Sequence, residues 1–348
     1  MKLLRCAAML VAALATLGAM LSAAAAETRT VRDSAGREVQ VPAHVARIFA
    51  AGPPAAVLLY TLAPDKLVGW PRDLGADAKA MLPARYAGLP VVGRLTGHEA
   101  SAGAAAIAAA HPDLIVDVGD VEPEYSELAD RIQAQSGIPY VLIDGSLAKT
   151  GATYRMLGDI VGEPARAAEL ADESDRLLAE AKAAAGSGGQ LRVYYGRGKD
   201  GLETGLGGSI NVEFLGAAGL ANVAAAAGDG ELKKVTLDQV AGWNPDVIVT
   251  LDPGFFDALS TDPRWKGVNA VRDRRVYLAP NAPFGWIDSP PGVNRLLGVR
   301  WVAGQLYPQA LPGDLRALTR DFYARYYQVD LSDTQLDQLL DTAMRKLP

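Results

Sequence analysis

A glycine-rich loop is the first segment whose residue types and spacing suggest a chemistry. Residues 196–201 read Gly-Arg-Gly-Lys-Asp-Gly and follow a predicted strand over 191–195. In a dinucleotide-binding fold the third glycine opens a helix, whose N–H groups meet the pyrophosphate. Here a further glycine-rich stretch, 202–208, follows instead. We therefore interpret the loop as the rim of a binding cleft in which Tyr195 and Arg197 face a ligand.

Catalysis and the binding of a bare metal ion both lack the residues that they need. The sequence contains no Gly-x-Ser-x-Gly nucleophile elbow. Of its three histidines, His98 lies on a loop that follows a predicted strand, and the adjacent Glu99 brings the set to only two ligands. The sequence therefore favours neither an enzyme, nor a cofactor-binding protein, nor a site for a bare metal ion.

Side chains on the loops at strand ends are the candidates for ligand contact. Pro53 begins a predicted helix, and the N–H groups of a helix N-terminus favour an anionic ligand. Aromatic walls with a few polar groups suit a medium-sized ligand, and arginine pairs with the carboxylates of a chelate. The candidate ligand-binding residues are Pro53, Trp70, Arg94, His98, Tyr195, Arg197, Phe284 and Trp286. The alternative is that the aromatic residues only pack their loops onto the core.

Short apolar strands alternate with helices along most of the chain, and this pattern predicts α/β lobes with largely parallel sheets. Before residue 163 we predict a hairpin over 30–42, strands at 47–50, 67–70, 91–92, 113–116 and 140–143, and helices at 53–60, 101–110, 123–136 and 147–161. After residue 186 we predict strands at 191–195, 246–251 and 275–279, and helices at 210–218, 236–241, 293–306, 312–327 and 332–345.

One long helix separates these two halves. From Pro164 to Ala185 the sequence contains no glycine and no further proline, and it ends at Gly186. Proline at the start and glycine past the end are typical helix punctuation. We therefore predict an N-terminal α/β lobe over 27–162, a rigid interlobe helix over 163–186 and a C-terminal α/β lobe with C-terminal helices over 187–348. The alternative is a surface helix of a single domain.

Several segments carry a family resemblance. Residues 109–116 and 242–249 both contain a Pro-Asp turn before an apolar run, and residues 31–48 contain Val-x-Asp-Ser-Ala-Gly-Arg, Val-Pro and Arg-Ile. Residues 284–296 read Phe-Gly-Trp-Ile-Asp-Ser-Pro-Pro-Gly-Val-Asn-Arg-Leu, followed by Trp301. Together they resemble the periplasmic substrate-binding proteins of metal-chelate ABC importers, in the iron-complex subgroup.

The resemblance implies an α/β fold of two Rossmann-like lobes joined by one long rigid helix, with the ligand in the cleft between them. It implies a metal chelate as the ligand, in the first place a ferric siderophore, delivered to an ABC permease of the inner membrane. Cobalamin and haem are alternative cargoes, and an exported α/β enzyme is the alternative from another class.

The resemblance also implies docking on the permease through one acidic residue in each lobe. Asp238, at the start of the predicted helix over 236–241, matches that position in the second lobe. The equivalent position in the first lobe is Ala105, which departs from the family pattern, and Glu99 is the nearby acidic residue. The alternative is that Asp238 has no role in docking and that its negative charge only stabilises the N-terminus of its helix through the helix dipole.

The first 26 residues predict export. A basic start with Lys2 and Arg5 precedes an apolar run and an Ala-Ala-Ala site before Glu27, which is the pattern of a cleaved secretory signal peptide. Cleavage would place the chain in the periplasm, remove Cys6, the only cysteine, and move the formal net charge from −6 to −8. An acidic protein is an unlikely partner for nucleic acid, which requires clustered lysine and arginine. We expect a monomer.

Overall fold

The structure is a computed structural model that describes residues 27–96, 100–186, 190–311 and 313–347; the predicted signal peptide lies outside these ranges. The first lobe begins with an antiparallel hairpin, β1–β2, and continues with a parallel sheet in the order β3-β4-β5. Its strands are β1 (Thr28–Arg32), β2 (Glu38–Pro42), β3 (Ile48–Ala50), β4 (Leu114–Gly119) and β5 (Tyr140–Asp144). Its helices are α1 (Pro53–Leu62), α2 (Ala76–Ala80), α3 (Ala84–Ala87), α4 (Ala104–Ala110), α5 (Pro123–Ser136) and α6 (Thr150–Val161).

The second lobe follows helix α7 (Pro164–Ala185) and contains a parallel sheet in the order β11-β10-β6-β8. Its strands are β6 (Arg192–Gly196), β7 (Glu203–Gly205), β8 (Ala221–Asn222), β9 (Leu232–Lys234), β10 (Val247–Thr250) and β11 (Val276–Leu278), of which β7 and β9 form a separate antiparallel pair. Its helices are α8 (Glu213–Ala217), α9 (Leu237–Trp243), α10 (Pro253–Thr261), α11 (Asn269–Arg272), α12 (Arg295–Leu306), α13 (Leu315–Phe322) and α14 (Asp333–Ala343). A π-helical turn, Tyr323–Tyr327, continues α13.

The two sheets share one core. Successive side chains of a strand point to opposite faces of its sheet. One face of each sheet packs into a core common to both lobes, to which Val116 and Val249 belong. On the opposite faces, Ile115 belongs to a core of the first lobe and Ile248 to a core of the second. Parallel strands that are buried on both faces have continuous apolar sequences, which explains β4 and β10.

Helix α7 supports both lobes, as the sequence predicts. Pro164 occupies its first turn, where a missing N–H costs no helical hydrogen bond, and Gly186 follows its last residue. The helix packs against α6 of the first lobe and α12 of the second. Its buried stripe recurs every three or four residues and consists of Ala167, Leu170, Ala171, Ser174, Leu177, Ala181 and Ala184.

Both lobes contain the same helix–turn–strand unit. Helix α4 ends at His111 and α9 ends at Asn244, and both residues have left-handed backbones, with φ of 46° and 45°. Two residues later a carboxylate, Asp113 or Asp246, accepts a backbone N–H from the segment that begins β3 or β6. The repeated Pro-Asp turns of the sequence therefore have the same structural role in the two lobes.

An arginine completes this unit in each lobe. Arg47 donates through Nε to the carbonyl oxygen of His111 at 2.9 Å, and Arg192 donates to the carbonyl oxygen of Trp243 at 2.5 Å. Both guanidinium groups thus satisfy carbonyl groups at a helix C-terminus, which is the end that favours a positive charge.

Two predicted strands, over 67–70 and 91–92, are reduced to isolated bridges in the structure. Leu67 forms one bridge to β3, and Trp70 forms another to Val91. Prolines lie directly after the first segment and directly before the second. They lack the N–H donors that a longer ladder would need, which explains why the strands are short.

The glycine-rich loop over 196–201 connects β6 to β7 without a helix. Arg197 and Glu203 form an antiparallel bridge across it. Gly198 and Gly201 have φ of 73° and 67°, which is the left-handed region that favours glycine. These two glycines therefore allow the chain to turn between β6 and β7. This loop lacks the strand–helix junction of a dinucleotide-binding site. Throughout the described ranges, no helix combines the length and the apolar character that crossing a membrane requires.

Candidate ligand-binding cleft

The order of the first sheet places a crevice at the carboxyl ends of β3 and β4. The chain leaves β3 towards Leu67 on one side, whereas it leaves β4 towards β5 on the other. Ligands of open α/β sheets bind where the connections diverge in this way. A cavity of about 170 Å³ lies at this point. Its walls come from both lobes, and its lining residues are Gly52, Pro53, Pro54, Arg94, Thr96, Asp117, Val118, Gly119, Asp120, Tyr125, Ile210 and Pro291.

A buried carboxyl group, that of Asp117, lies in this cleft. The hydroxyl of Tyr140 donates to its Oδ2 at 2.9 Å, and the backbone N–H of Val118 donates to its Oδ1 at 3.0 Å. Burial raises the pKa of Asp117, whereas these hydrogen bonds act to lower it. The group is therefore held in a fixed position by donors from β4 and β5.

The mouth of the cleft is acidic. Burial raises the pKa of Asp120, and the negative charges of Glu122 and Glu231 raise it further. The hydroxyl of Tyr125 donates to Oε1 of Glu231 at 3.2 Å, so a hydrogen bond joins the two lobes at this mouth. Burial also raises the pKa of Tyr125, which keeps its hydroxyl neutral and able to donate.

A buried arginine fixes the wall that the second lobe contributes. Arg295 is only 1 % exposed. Its guanidinium donates to the carbonyl oxygens of Ile210 at 2.6 Å and Gly145 at 2.9 Å, and pairs with the carboxylate of Glu213 at 3.0 Å. Because Ile210 lines the cleft and Gly145 directly follows β5, Arg295 holds the two lobes together beside the cavity.

Two predicted site residues, Pro53 and Arg94, line this cleft. The expectation of an anion site built from the N–H groups of α1 needs correction. Pro53 is followed by Pro54, and neither residue has an N–H. The start of α1 therefore contributes fewer donors than a helix N-terminus ordinarily does, and Arg94 and the hydroxyl groups become the more important polar contacts.

Two further predicted residues, Trp70 and Phe284, lie next to the cleft. They line a cavity of about 40 Å³ that shares Pro53 with the larger one. Their ring centroids are 6.0 Å apart, and the Trp70 indole donates to the carbonyl oxygen of Tyr86 at 2.8 Å. Both rings are almost completely buried, so they form a packed seam between the lobes and present little surface to the cleft.

The structure places the other two predicted aromatic residues, Tyr195 and Trp286, in the core. Neither is more than 1 % exposed. The Tyr195 hydroxyl donates to Asp288 at 3.0 Å, and the Trp286 indole contacts the hydroxyl of Tyr323 at 3.2 Å. Arg197 also pairs with Asp288. The expectation that these rings form cleft walls is therefore wrong for this structure, because Tyr195 lies within the buried strand β6 and Trp286 lies on a loop that folds into the core.

The remaining predicted positions concern metal binding and docking. His98 and Glu99 lie outside the described residues. Among the residues that are described, no three His, Cys, Asp or Glu side chains converge into a metal site. Asp238 is exposed in the first turn of α9, and Ala105 is exposed in the first turn of α4.

Sequence reasoning missed the polar residues that line the cleft. Asp117 directly follows the predicted strand over 113–116, Asp120 lies three residues further along, and Tyr125 lies in the first turn of the next predicted helix. Polar residues at the carboxyl end of a buried parallel strand were the available signal. Ile210 and Pro291 carried no such signal, because only the contact between the lobes brings them to the cavity.

Comparison with known proteins agrees with this architecture. Residues 60–283 match the sequence profile described as periplasmic binding protein. The chain belongs to this family. The predicted resemblance to binding proteins of the metal-chelate type is thereby confirmed at the level of the family and of the two-lobed fold.

Individual members of the family match nearly the whole chain. The molybdate-binding protein MolA of Haemophilus influenzae is 27 % identical, with 90 % of this chain and 95 % of MolA covered. An ABC transporter solute-binding protein from Sulfurospirillum deleyianum superposes with a TM-score of 0.80 at 27 % identity, covering 90 % of this chain and 99 % of its own. The structure of MolA bound to molybdate superposes with a TM-score of 0.69 at 24 % identity, covering 87 % and 99 %, and supports the fold. The descriptions of these relatives are those of solute-binding proteins of ABC transporters.

Proposed function

We propose that this periplasmic binding protein captures a compact metal oxyanion of the molybdate type in its interlobe cleft and delivers it to an inner-membrane ABC permease. The observation that carries the proposal is the size of the cleft, about 170 Å³. Pockets for drug-sized ligands usually measure roughly 300–1,000 Å³. A single tetrahedral oxyanion is therefore a better match than a large organic chelate.

The side chains around the cavity supply the hydrogen-bond donors that an oxyanion needs. The guanidinium of Arg94 lines it and carries several N–H donors, whereas the hydroxyl groups of Thr96 and Tyr125, which also line it, donate to Asp117 and Glu231. Arginine is suited to oxyanions because its planar donors match two oxygen atoms at once. The similarity to MolA over 90 % of the chain supports the same class of cargo.

A ferric siderophore, the cargo predicted from the sequence, is the second candidate. The aromatic residues Trp70 and Phe284 favour this candidate. They line the cavity of about 40 Å³ that lies next to the cleft and shares Pro53 with it. A chelate of that size needs the two cavities to merge and the lobes to separate. Binding of haem or cobalamin would require the same merging of the cavities and separation of the lobes.

The proposal is tested by isothermal titration of residues 27–348 with molybdate, tungstate, sulfate, ferric siderophores, haemin and cobalamin. We expect saturable one-to-one binding of molybdate and tungstate. Arg94→Gln should weaken molybdate binding by about tenfold or more, because a charge-assisted hydrogen bond is lost. The matched control is Arg72→Gln, since Arg72 lines the neighbouring cavity instead. One-to-one binding of a ferric siderophore without binding of molybdate would replace the proposal with the second candidate.

A further inference from the structure

The charges of the cleft conflict with a bare oxyanion. Of the side chains that line the cavity, Arg94 is cationic, whereas Asp117 and Asp120 are carboxyl groups. An oxyanion that enters this cavity shares it with both carboxyl groups. Negative groups that share a site raise the pKa of the carboxyl groups among them, because one of the charges is then neutralised by a proton.

The two carboxyl groups differ in the groups that face them. Asp117 accepts hydrogen bonds from Tyr140, from the N–H of Val118 and, at 3.4 Å, from Thr96. Such donors stabilise the ionised form of a carboxyl group. The hydrogen bonds around Asp117 therefore oppose its protonation.

Asp120 has the opposite surroundings. Four carboxylates act on it: Glu122 in its own loop, Asp144 at the end of β5, Glu213 on α8 and Glu231 before β9. The buried guanidinium of Arg295 acts on it in the opposite direction, but burial and the four carboxylates prevail and raise the pKa of Asp120. Tyr125 of α5 and Arg94 line the same cavity. Negative neighbours and partial burial both favour the neutral acid over the carboxylate.

We propose that the cleft binds its oxyanion together with one proton, which Asp120 takes up from solvent and uses to donate a hydrogen bond to an oxyanion oxygen. Asp120 is thus a specificity-determining residue, because an anion binds beside it only when its carboxylate is protonated. No covalent bond forms or breaks other than the O–H bond on Asp120. The inference rests on the proposed oxyanion cargo, and a cationic cargo would instead release protons.

The direction of the pH dependence follows from this coupling. Binding raises the pKa of Asp120 above its value in the empty protein. The binding energy is therefore fully present below the pKa of the empty state and is lost as the pH rises through the pKa of the bound state. Across that window the dissociation constant should increase by up to about tenfold per pH unit.

The test is titration calorimetry with sodium molybdate between about pH 5.5 and about pH 8, the range in which histidine must also be controlled. Two buffers of different ionisation enthalpy are used at each pH, because their difference counts the protons taken up. With residues 27–348 of the natural sequence we expect uptake approaching one proton and weaker binding as the pH rises. With Asp120→Asn we expect no uptake and binding at least about tenfold tighter at the highest pH.

Two variants serve as controls. Asp341→Asn removes one exposed carboxylate of α14 and should keep both the uptake and the pH dependence. His44→Gln removes an exposed histidine outside the cleft and should also keep the uptake, since Asp120 carries the proton. Proton release, or unchanged uptake in Asp120→Asn, overturns the inference while the proposed cargo stands. No binding of molybdate at any pH overturns the proposed function itself.

Discussion

The guanidinium of Arg295 donates to the carbonyl oxygen of Gly145 at 2.9 Å, so one side chain of the second lobe is anchored to the end of β5 in the first. The same group pairs with Glu213, whose carboxylate also accepts the N–H of Leu147 at 2.8 Å. Burial lowers the pKa of Arg295 and Glu213 opposes that change, but arginine stays charged at any physiological pH. The contact between the lobes therefore keeps its positive charge over the whole physiological pH range.

Removing this buried cation should destabilise the whole molecule. We expect Arg295→Met to lower the free energy of unfolding by about 3–5 kcal/mol, because Glu213 loses its cation and the carbonyl oxygens of Ile210, Gly145 and Gly292 lose the guanidinium donors. Urea denaturation followed by circular dichroism measures the change. Adding Glu213→Gln should recover part of the loss. The control is Arg316→Met, which removes the exposed ion pair between Arg316 of α13 and Asp333. It should lower the free energy of unfolding by no more than about 1 kcal/mol. Equal effects of Arg295→Met and Arg316→Met would contradict the role of the interlobe contact.

A close approach between α12 and the loop before it explains one glycine. A Cβ at Gly298 would lie 2.0 Å from the carbonyl oxygen of Trp286, which is backbone and cannot move aside cheaply. Gly298→Ala should therefore lower the melting temperature, with a cost of about 1–3 kcal/mol. Gly304 lies on the same helix, and a Cβ there has no neighbour closer than 3.9 Å. Gly304→Ala should be neutral or stabilising by up to about 1 kcal/mol. Similar losses in both variants would argue against the close approach.

Local patterns predicted the elements well because their causes lie nearby in sequence. The continuous apolar runs of β4 and β10, and the Pro164 and Gly186 that bracket α7, are all local features. The predicted bounds of α7 agree with the structure within one residue at each end. Even the likeness of the two lobes was readable, because the Pro-Asp turns recur with the same neighbours.

The side chains of the cleft were harder to predict because their orientation depends on contacts far away in sequence. Trp286 and Pro291 lie on one loop, yet the first is buried against Tyr323 and the second lines the cavity. No local pattern distinguishes them. The size of the cleft also depends on the contact between the lobes, to which Arg295 contributes, and sequence periodicity carries no information on that distance.

The hydrogen bond between Tyr125 and Glu231 should slow the release of bound solute, because it crosses the mouth of the cleft. An intramolecular hydrogen bond typically contributes about 0.5–1.5 kcal/mol, and this one, although its acceptor is a carboxylate, is exposed to solvent and long enough to fall in that range. We expect Tyr125→Phe to increase the dissociation rate of molybdate by between about twofold and about tenfold in stopped-flow fluorescence. Within the described residues, the Tyr307 hydroxyl has no hydrogen-bond partner, so Tyr307→Phe is a matched control. An unchanged rate in Tyr125→Phe would show that this bond does not close the cleft.

Asp238 is the side chain through which we expect the second lobe to dock on its permease. It is exposed, and its helix begins with a capping box in which the Thr236 side chain accepts the N–H of Gln239. Because that box holds the start of α9 without Asp238, the variant Asp238→Asn should fold normally. We expect it to bind solute as before but to stimulate ATP hydrolysis by the reconstituted permease at least about fivefold less, since an exposed charge at an interface acts mainly on encounter and register.

The equivalent position in the first lobe offers the reciprocal test. Ala105 is exposed in the first turn of α4, the helix that matches α9 in the repeated unit. Ala105→Asp adds a carboxylate there and should increase the stimulation of ATP hydrolysis, because the two lobes would then present the same charge. Asp341→Asn, on α14, controls for the loss of a surface charge elsewhere. Full stimulation by Asp238→Asn would mean that docking uses another surface, whatever the effect of Ala105→Asp.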